Sequence, residues 1–275
     1  MPGPPALVEL RCRTSDRTAG GGRGAAALAE ELGERLGVDA RRIGSPQPPR
    51  AAAWEADLRD SRGCLLEAGG QVDDALEAGR LPILLAGDCS ICMTTLPAVA
   101  RHHPGARVLW LDAHGDFNTP RSTASGFLGG MCLAAACGRW PSGLIQDAEA
   151  FDPARVTLCG VRDLDPGERA ELELAGVPGV ARASEVPALL DGAPVYVHLD
   201  LDVLDPDFFP AQFPVAHGMS PAGLRTLLAE VARATTIVGV EITAFEAPED
   251  PEVQSDLARL VADAAQPLFA QGAHA

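Results

Sequence analysis

Short apolar runs alternate along the chain with longer segments in which apolar residues recur every three to four positions. The short runs have the length of buried β-strands, and the longer segments have the period of amphipathic helices. We predict strands at 6–10, 81–86, 108–111, 155–160, 194–199 and 236–242. We predict helices at 25–37, 54–79, 127–138, 221–234 and 251–270. Two further helices are predicted, one that follows Ser90 and ends near residue 102, and one that is opened by the segment 161–168 and ends near residue 175. The glycine-rich stretch 20–24 is interpreted as a flexible loop.

Strands that alternate with helices favour right-handed βαβ units, and therefore an α/β fold whose mainly parallel central sheet is covered on both faces. No shift in composition marks a boundary, so residues 1–275 are predicted to form a single domain. Ligands of such sheets bind beyond the carboxyl ends of the strands. Polar side chains that follow each predicted strand are therefore the strongest candidates for a functional site.

The predicted strand at 108–111 is followed by three metal-ligand side chains at alternate positions, Asp112, His114 and Asp116. Extended backbone points alternate side chains to one side, so these groups can converge on a cation if the strand continues past residue 111. Burying two unpaired carboxylates together is costly, which disfavours such a cluster without a cation. A solvated loop is the alternative, and this pattern alone does not decide between them.

Two further strand ends carry similar groups. Asp200 and Asp202 follow the strand at 194–199 with the same alternate spacing, and Cys89 follows the strand at 81–86. Four carboxylates, one imidazole and one thiol are too many ligands for a single tetrahedral zinc. They suit two divalent ions bridged by shared carboxylates, and an oxygen-rich ligand set favours Mn²⁺. Two ions about 3.5–4 Å apart can hold a hydroxide that attacks a planar electrophilic carbon.

Net charge and cysteine content narrow the function further. A formal net charge of −16 argues against nucleic acid as a partner and weakly favours a cationic small substrate, although it could simply aid solubility. The seven cysteines lack paired zinc-type motifs, so we interpret them as reduced thiols of a cytoplasmic protein. We recognise no signal peptide, and no apolar run approaches the roughly 18 residues that would indicate a membrane span.

Three segments resemble the signatures of the ureohydrolases, the family of the arginases and agmatinases. These are Gly-Asp-Cys-Ser at 87–90, Asp-Ala-His-Gly-Asp-Phe-Asn-Thr-Pro at 112–120 and Asp-Leu-Asp-Val-Leu-Asp-Pro at 200–206. The likeness extends in order over about 81–250. It implies a three-layer α/β/α fold and a centre of two Mn²⁺ ions that hydrolyses guanidino compounds.

The resemblance also implies the ligands of each ion. One ion would be held by Cys89, Asp112, Asp116 and Asp200, and the other by Asp112, Asp200, Asp202 and His114. Asp112 and Asp200 would bridge the two ions. Asp116 would in addition steady the attacking hydroxide, which makes it a catalytic candidate.

Two other segments resemble the parts of arginases that hold the amino-acid end of the substrate. Asn118 and Ser125 are the expected ligands of the α-carboxylate, and Asp165, which Glu168 could assist, is the expected ligand of the α-amino group. The alternative for Asp165 and Glu168 is helix capping, because acidic residues favour the first turn of a helix. Since agmatine lacks a carboxylate, a substrate of the arginine type is expected.

The sequence departs from the family pattern at three places. Cys89 stands where the family has a histidine ligand, and Gly129 stands where arginases have the histidine used for proton transfer. Near 241–246 the family usually has a glutamate that grips the guanidinium, and the best alignment places Ala244 there. Glu241 or Glu246 could replace that glutamate, so both are further catalytic candidates.

These departures resemble the hydroxyarginase branch linked to D-cycloserine biosynthesis, and therefore to antibiotic production. This resemblance implies the hydrolysis of Nω-hydroxy-L-arginine to hydroxyurea and L-ornithine. The charge argument is consistent with it, since an N-hydroxyguanidine reaches a neutral form more easily than a guanidinium. An arginase or other guanidino-acid hydrolase is the first alternative, and a metal-poor, non-catalytic member of the family is the second. Homo-oligomerisation is possible, and His198 is interpreted as a core residue inside its strand.

Overall fold

A seven-stranded parallel sheet forms the centre of the molecule, with the strand order β2-β1-β3-β7-β6-β4-β5. The structure is a computed structural model that describes residues 3–146, 150–190 and 192–270. The strands are β1 (Pro5–Leu10), β2 (Arg41–Ile43), β3 (Leu81–Leu85), β4 (Arg107–Leu111), β5 (Val156–Cys159), β6 (Pro194–Asp200) and β7 (Thr236–Thr243). The α/β fold class and the parallel sheet are therefore confirmed.

Helices connect successive strands. They are α1 (Gly20–Leu36), α2 (Trp54–Glu77), α3 (Cys92–His102), α4 (Cys132–Ala136), α5 (Pro166–Ala175), α6 (Val186–Leu190), α7 (Pro221–Ala234) and α8 (Pro251–Phe269). Several of them begin with a capping side chain followed by proline, as at Asp165, Ser220 and Asp250. Each cap accepts a hydrogen bond from a backbone N–H that has no partner inside the helix, and proline suits the first helical position.

Two layers of helices cover the two faces of the sheet. Alternation along β4 sends Leu109 and Leu111 into the core formed with α1, α7 and α8. The same alternation sends Val108 and Trp110 into the core formed with α2, α3 and α4. Because both faces are apolar and covered, the expected three-layer α/β/α architecture is confirmed. None of the helices in the described residues is long and apolar enough to cross a membrane.

The strand predictions are correct to within about two residues, but two short elements and one boundary were not anticipated. The edge strand β2 and the helix α6 carry too few residues for a periodic pattern to emerge. The helix predicted at 127–138 is wrong in extent, because a single 3₁₀ turn at Gly129–Met131 precedes the short α4.

The prediction of a flexible loop at 20–24 is wrong, since these residues form the first turns of α1. Glycine is needed there for close approach. A Cβ atom at Gly24 would lie 2.3 Å from the carbonyl oxygen of Phe245, and one at Gly21 would lie 3.0 Å from the Cα of Gly87. The glycines therefore let α1 pack tightly against the carboxyl edge of the sheet.

The prediction that all seven cysteines are reduced is also wrong for one pair. Cys12, just after β1, is bonded to Cys64 of α2, and the two Cα atoms lie 6.3 Å apart. The other five cysteines are buried and unpaired. Fifty-two positions separate the bonded pair, and sequence spacing carries no information on a contact that the sheet and α2 create together.

Candidate metal centre and substrate pocket

The polar ends of β3, β4 and β6 meet around one cavity of about 460 Å³ at the carboxyl edge of the sheet. All the metal-ligating and substrate-binding residues expected from the sequence line this cavity. They are Cys89, Asp112, His114, Asp116, Asn118, Ser125, Asp165, Glu168, Asp200 and Asp202. Since β4 and β6 are hydrogen-bonded neighbours, groups that follow their last residues are brought close together.

The three groups after β4 converge by turning of the backbone rather than by continuation of the strand. The strand ends at Leu111, and the Asp112 carboxylate accepts hydrogen bonds from the backbone N–H of His114 (2.6 Å) and from Trp110 Nε1 (3.1 Å). Asp116 adopts φ of 49°, a left-handed conformation that costs energy outside glycine and is often found at functional sites. The expected common face is therefore formed by a looped segment.

His114 lies between two carboxylates from different strand ends. Its Nδ1 is 2.8 Å from Asp202 Oδ2 and 3.4 Å from Asp112 Oδ1. The other oxygen of Asp202 accepts a hydrogen bond from the backbone N–H of Ala113 at 2.8 Å. These contacts join the end of β6 to the end of β4 and fix the three side chains relative to one another.

Cys89 lies on the opposite side of the cluster. Its Sγ donates a hydrogen bond to Asp200 Oδ2 at 2.7 Å and lies 3.0 Å from Thr243 Oγ1 of β7. Asp200 Oδ1 accepts from the backbone N–H of Asp202 at 2.7 Å. The thiol therefore faces the same carboxylate that the family resemblance assigns as a bridge.

Burial and mutual repulsion disturb the ionisation of these groups. Burial, and then the nearby Asp202, raise the pKa of Asp200 to about 8, and burial together with Asp112 raises the pKa of Asp202 to about 6. Burial and Asp112 also place the pKa of Asp116 well above its usual range, and burial does the same for the pKa of Cys89. Burial lowers the pKa of His114, but its contacts with Asp112 and Asp202 outweigh this and raise it to about 12.

The cluster suits divalent cations. It contains two sets of three residues, and within each set the potential ligand atoms lie within 4.8 Å of one another. One set is Cys89, Asp112 and His198, and the other is Asp112, His114 and Asp202. Among the described residues, the ion pairs of these aspartates involve only His114. Buried carboxylates without enough positive charge are unfavourable, so the donor set fits bound metal ions.

The substrate-binding candidates lie on one wall of the cavity. The Oε1 atom of Glu168 accepts a hydrogen bond from the backbone N–H of Phe117 (2.9 Å), and burial raises the pKa of Glu168 to about 7. Asp165 caps α5 by accepting from the backbone N–H of Glu168, while its other oxygen lies 3.4 Å from Asn118 Nδ2. Helix capping is therefore observed for Asp165, and it leaves one oxygen facing the pocket.

Two polar groups on this wall are available to a ligand. The Oδ1 atom of Asn118 is buried and has no partner within the described part of the chain. Ser125 is exposed at the rim, where its hydroxyl accepts a hydrogen bond from the backbone N–H of Phe127 at 3.2 Å. Both residues line the same cavity as the metal-ligand candidates.

The structure does not bring Glu241 and Glu246 into the cavity. Glu241 is fully buried in β7 and faces the layer of α2 and α3, while Glu246 forms a hydrogen bond with Thr18 outside the cavity. Ala244, by contrast, lines the cavity. The geometry thus gives no support to either glutamate as a ligand of the guanidinium, because strand alternation and the turn after β7 direct both carboxylates elsewhere.

Several lining residues escaped the sequence analysis, among them Arg17, Phe127 and Phe213. The Arg17 guanidinium lies 4.6 Å from the centre of the Phe127 ring, which packs 4.9 Å from Phe213. A Cβ atom at Gly129 would lie 2.5 Å from a carbon of the Phe127 ring. These residues come from three separate loops, so no local spacing could have indicated that they form one wall.

Comparisons with known proteins agree with the fold. A sequence model of the "Arginase family" matches residues 51–269. The chain is 38% identical over 267 residues to the N(omega)-hydroxy-L-arginine amidinohydrolase of Streptomyces lavendulae, and the match covers 96% of both chains. It is 35% identical over 189 residues to the arginase of Bacillus caldovelox, or 62% of each chain.

A solved structure of the Bacillus caldovelox arginase superposes with a TM-score of 0.81 and 27% sequence identity, covering 97% of this chain and 98% of that one. Both the matched region and the superposition include β3, β4, β6 and β7, the strands from which the cavity is built. The chain therefore belongs to the arginase family.

Proposed function

We propose that this protein hydrolyses Nω-hydroxy-L-arginine to hydroxyurea and L-ornithine at a centre of two divalent cations. The observation that carries the proposal is the identity of 38% across 96% of both chains with an N(omega)-hydroxy-L-arginine amidinohydrolase. The cavity supports it, because it combines a carboxylate-rich cluster with polar groups suited to an amino acid. The reaction breaks the bond between the guanidino carbon and the side-chain nitrogen of ornithine.

The metal ligands that we propose are the six side chains at the ends of β3, β4 and β6. Cys89, Asp112, Asp116 and Asp200 would hold one ion, and Asp112, Asp200, Asp202 and His114 would hold the other. Bound cations of this kind supply a water that is acidic enough to attack as hydroxide at neutral pH. The excess of carboxylate oxygens favours Mn²⁺ as the metal, and the number and kind of ions are part of the proposal.

The protein's own groups would orient the substrate against this cluster. Asn118 and Ser125 both line the cavity. The amide nitrogen of Asn118, now 3.4 Å from Asp165 Oδ2, and the Ser125 hydroxyl would donate hydrogen bonds to the α-carboxylate. The carboxylates of Glu168 and Asp165 would accept hydrogen bonds from the α-amino group. Asp116, held in its left-handed turn, would align the attacking oxygen with the guanidino carbon.

A hydroxylated substrate suits the wall of the cavity better than a plain guanidinium does. The site has no imidazole at Gly129, and Phe127 fills the space that a side chain there would need. Glu241 and Glu246 both point away from the cavity. An N-hydroxyguanidine depends less on proton transfer by a histidine and on a carboxylate that binds a cation, because its neutral form is more accessible. The absence of both groups from the cavity is therefore compatible with that substrate.

A substrate panel tests the proposal. Purified enzyme loaded with Mn²⁺ should show a kcat/KM for Nω-hydroxy-L-arginine at least about 10²-fold above that for L-arginine, since general acid–base assistance is typically worth 10²–10⁴-fold. Agmatine is the matched control for the carboxylate contacts and should be hydrolysed poorly. Faster turnover of L-arginine would overturn the proposed specificity and favour an arginase.

Elemental analysis separates an enzyme from a binding protein. We expect about two Mn²⁺ per chain after loading, as befits a bridged pair. Absence of bound metal after incubation with Mn²⁺ would instead favour the metal-poor, non-catalytic alternative. Roles in antibiotic biosynthesis, a cytoplasmic location, a single domain and a homo-oligomer stay predictions.

A further inference from the structure

A buried polar cluster lies behind Cys89, between the sheet and α3. At its centre is Glu241, whose carboxylate accepts hydrogen bonds from Thr95 Oγ1 at 2.6 Å and from the Tyr196 hydroxyl at 2.9 Å. Its other oxygen lies 2.6 Å from Nδ1 of His198. Glu241 and His198 are both fully buried, so this carboxylate is held by three donors inside the core.

Two neighbours fix the orientation of the His198 ring. Glu241 holds Nδ1, and the indole of Trp110 stacks on the imidazole with ring centres 3.5 Å apart and planes within 4°. Trp110 in turn donates to Asp112 Oδ2 at 3.1 Å. The imidazole is therefore positioned by the same residue that positions one of the bridging carboxylates.

The remaining ring nitrogen of His198 is unsatisfied within the described residues, and the imidazole lies beside two metal-ligand candidates. Nε2 of His198 is buried and has no hydrogen-bond partner among the residues that the structure describes. The ligand atoms of Cys89, Asp112 and His198 all lie within 4.8 Å of one another. Two atoms bound to one ion, each roughly 2.0–2.3 Å from it, must lie within about 4–4.6 Å, so small adjustments suffice for a shared cation.

We propose that His198 binds, through Nε2, the same divalent cation as Cys89, with Glu241 as the residue that positions the imidazole. Because Glu241 accepts the proton on Nδ1, Nε2 carries a free lone pair, which is the tautomer that a metal requires. Thr95 and Tyr196 then hold the carboxylate in place. The inference rests on the proposed metal centre, and it adds a ligand that the family resemblance does not assign.

The alternative, a core histidine with no ligand, leaves Nε2 unexplained. A buried polar nitrogen with neither a hydrogen bond nor a metal is unfavourable. An apolar side chain at this position would pack in the core without leaving a polar atom unpaired. As a ligand, His198 gives the Cys89 ion a neutral nitrogen donor from β6, although the chain has no histidine at position 89 itself.

Cadmium NMR tests the inference on the unaltered protein. The chain is loaded with ¹¹³Cd²⁺, and correlations between each ¹¹³Cd nucleus and nearby protons reveal which side chains are bonded to it. We expect the ¹¹³Cd signal that couples to the β-protons of Cys89 to couple also to imidazole ring protons, which disappear in His198→Asn. A second ¹¹³Cd signal should couple to the ring of His114.

The possible outcomes separate this inference from the proposed function. If two ¹¹³Cd signals show coupling to Cys89 and to His114 but neither couples to His198, the inference is overturned while the metal centre stands. If the protein binds no ¹¹³Cd²⁺, both are overturned. Coupling of Cys89 and His198 to one nucleus supports both.

Affinity measurements add a second readout. By calorimetry, His198→Asn should weaken the binding of one Mn²⁺ of the two, and Glu241→Gln should weaken the same ion by about 10–100-fold, the usual loss when a group that orients a ligand is changed. His103→Asn, at the end of α3 and far from the cavity, should leave both affinities unchanged. Equal Mn²⁺ affinities in all three variants and the wild type would contradict a ligand role, and thermal unfolding of the metal-free variants shows whether each is folded.

Discussion

The two halves of the candidate metal centre differ in how they balance charge. We define the His114 half as His114 with Asp202 and the Cys89 half as Cys89 with Asp116. In the first, the imidazole lies 2.8 Å and 3.4 Å from two carboxylates and is paired with both. In the second, the thiol and the carboxylate are both buried. Burial and neighbouring aspartates raise the pKa of each group.

The two positions therefore depend unequally on a bound cation. The His114 half already contains a positive group when His114 is protonated, so it is partly neutralised without metal. The Cys89 half contains only groups that become negative, and it becomes favourable when ionised only if a cation binds. Asp112 and Asp200 connect the halves, so changes at either bridge should affect both.

The largest effect is expected at the bridge from β6. Asp200→Asn removes a charge shared by both halves, and we expect loss of both cations and a fall in kcat of about 10³-fold or more, the equivalent of several kcal/mol of transition-state stabilisation. Metal content and steady-state kinetics measure this. Asp205→Asn, at a partly exposed residue in the loop after β6 that accepts a hydrogen bond from the backbone N–H of Asp207, is the control. Retention of two cations in Asp200→Asn would show that the halves are independent.

The second prediction concerns pH. A cation must displace the protons on its ligands, and in the cation-free protein these include His114, with a pKa raised to about 12, and Asp200, with a pKa raised to about 8. Each displaced proton lowers the affinity about tenfold per pH unit below its pKa, so these two protons alone give a fall of at least about 10²-fold for each unit by which the pH is lowered. Calorimetry with Mn²⁺ between pH 6 and 8 measures this slope, and a flat profile would contradict it.

The same shift predicts the pH dependence of stability. Burial raises the pKa of Asp200 from 3.8 to about 8, so the folded, cation-free chain binds a proton that the unfolded chain has lost. Its stability should therefore fall as pH rises through this window. Bound cations favour the ionised carboxylate and should remove the fall. Melting temperatures with and without chelator test this, and a cation-free protein that becomes steadily more stable from pH 5 to 8 would contradict the raised pKa.

The fourth prediction concerns the contact between the His114 half and the substrate. Glu168 is buried beside this half and would accept a hydrogen bond from the α-amino group. Replacing Glu168 with Gln should raise KM by roughly 10–100-fold, as a charged hydrogen bond is worth about 1.5–3 kcal/mol, with a smaller effect on kcat. Glu173→Gln, on the exposed face of α5, is the control. An unchanged KM would show that Glu168 does not bind the substrate and that its role is to accept the hydrogen bond from the backbone N–H of Phe117.

The smallest effect is expected when the two halves are made more alike. Cys89→His replaces a ligand that would bind as a negative thiolate with a neutral nitrogen ligand, so the ion bound there would become the stronger Lewis acid. We expect the preference for Nω-hydroxy-L-arginine over L-arginine to fall by about tenfold, equivalent to about 1.4 kcal/mol. Cys159→Ala, a buried thiol outside the cavity, should not alter the preference. If Cys89→His leaves the ratio of the two kcat/KM values unaltered, the side chain at position 89 does not determine the choice of substrate.

The pattern of the sequence was sufficient for the layers and for the position of the site. Apolar runs and helical periods gave the order of strands along the chain, since a two-residue or 3.6-residue period is encoded locally. The same local order placed Asp112, Asp200 and Cys89 directly after strands. In a parallel sheet these ends share one edge, so the sequence places the three side chains on that edge, and the strand order β3-β7-β6-β4 then brings them together.

Contacts between residues that are distant in sequence depend on the tertiary structure. The bond between Cys12 and Cys64, the wall of Phe127 and Phe213, and the pairing of Glu241 with His198 all depend on which strands and loops lie side by side. Glu241 illustrates the reason. Its sequence position suggested a substrate ligand, but the alternation of β7 and the packing of α3 send its carboxylate into the core. Direction of a side chain within a packed sheet is a property of the whole fold, and no local pattern specifies it.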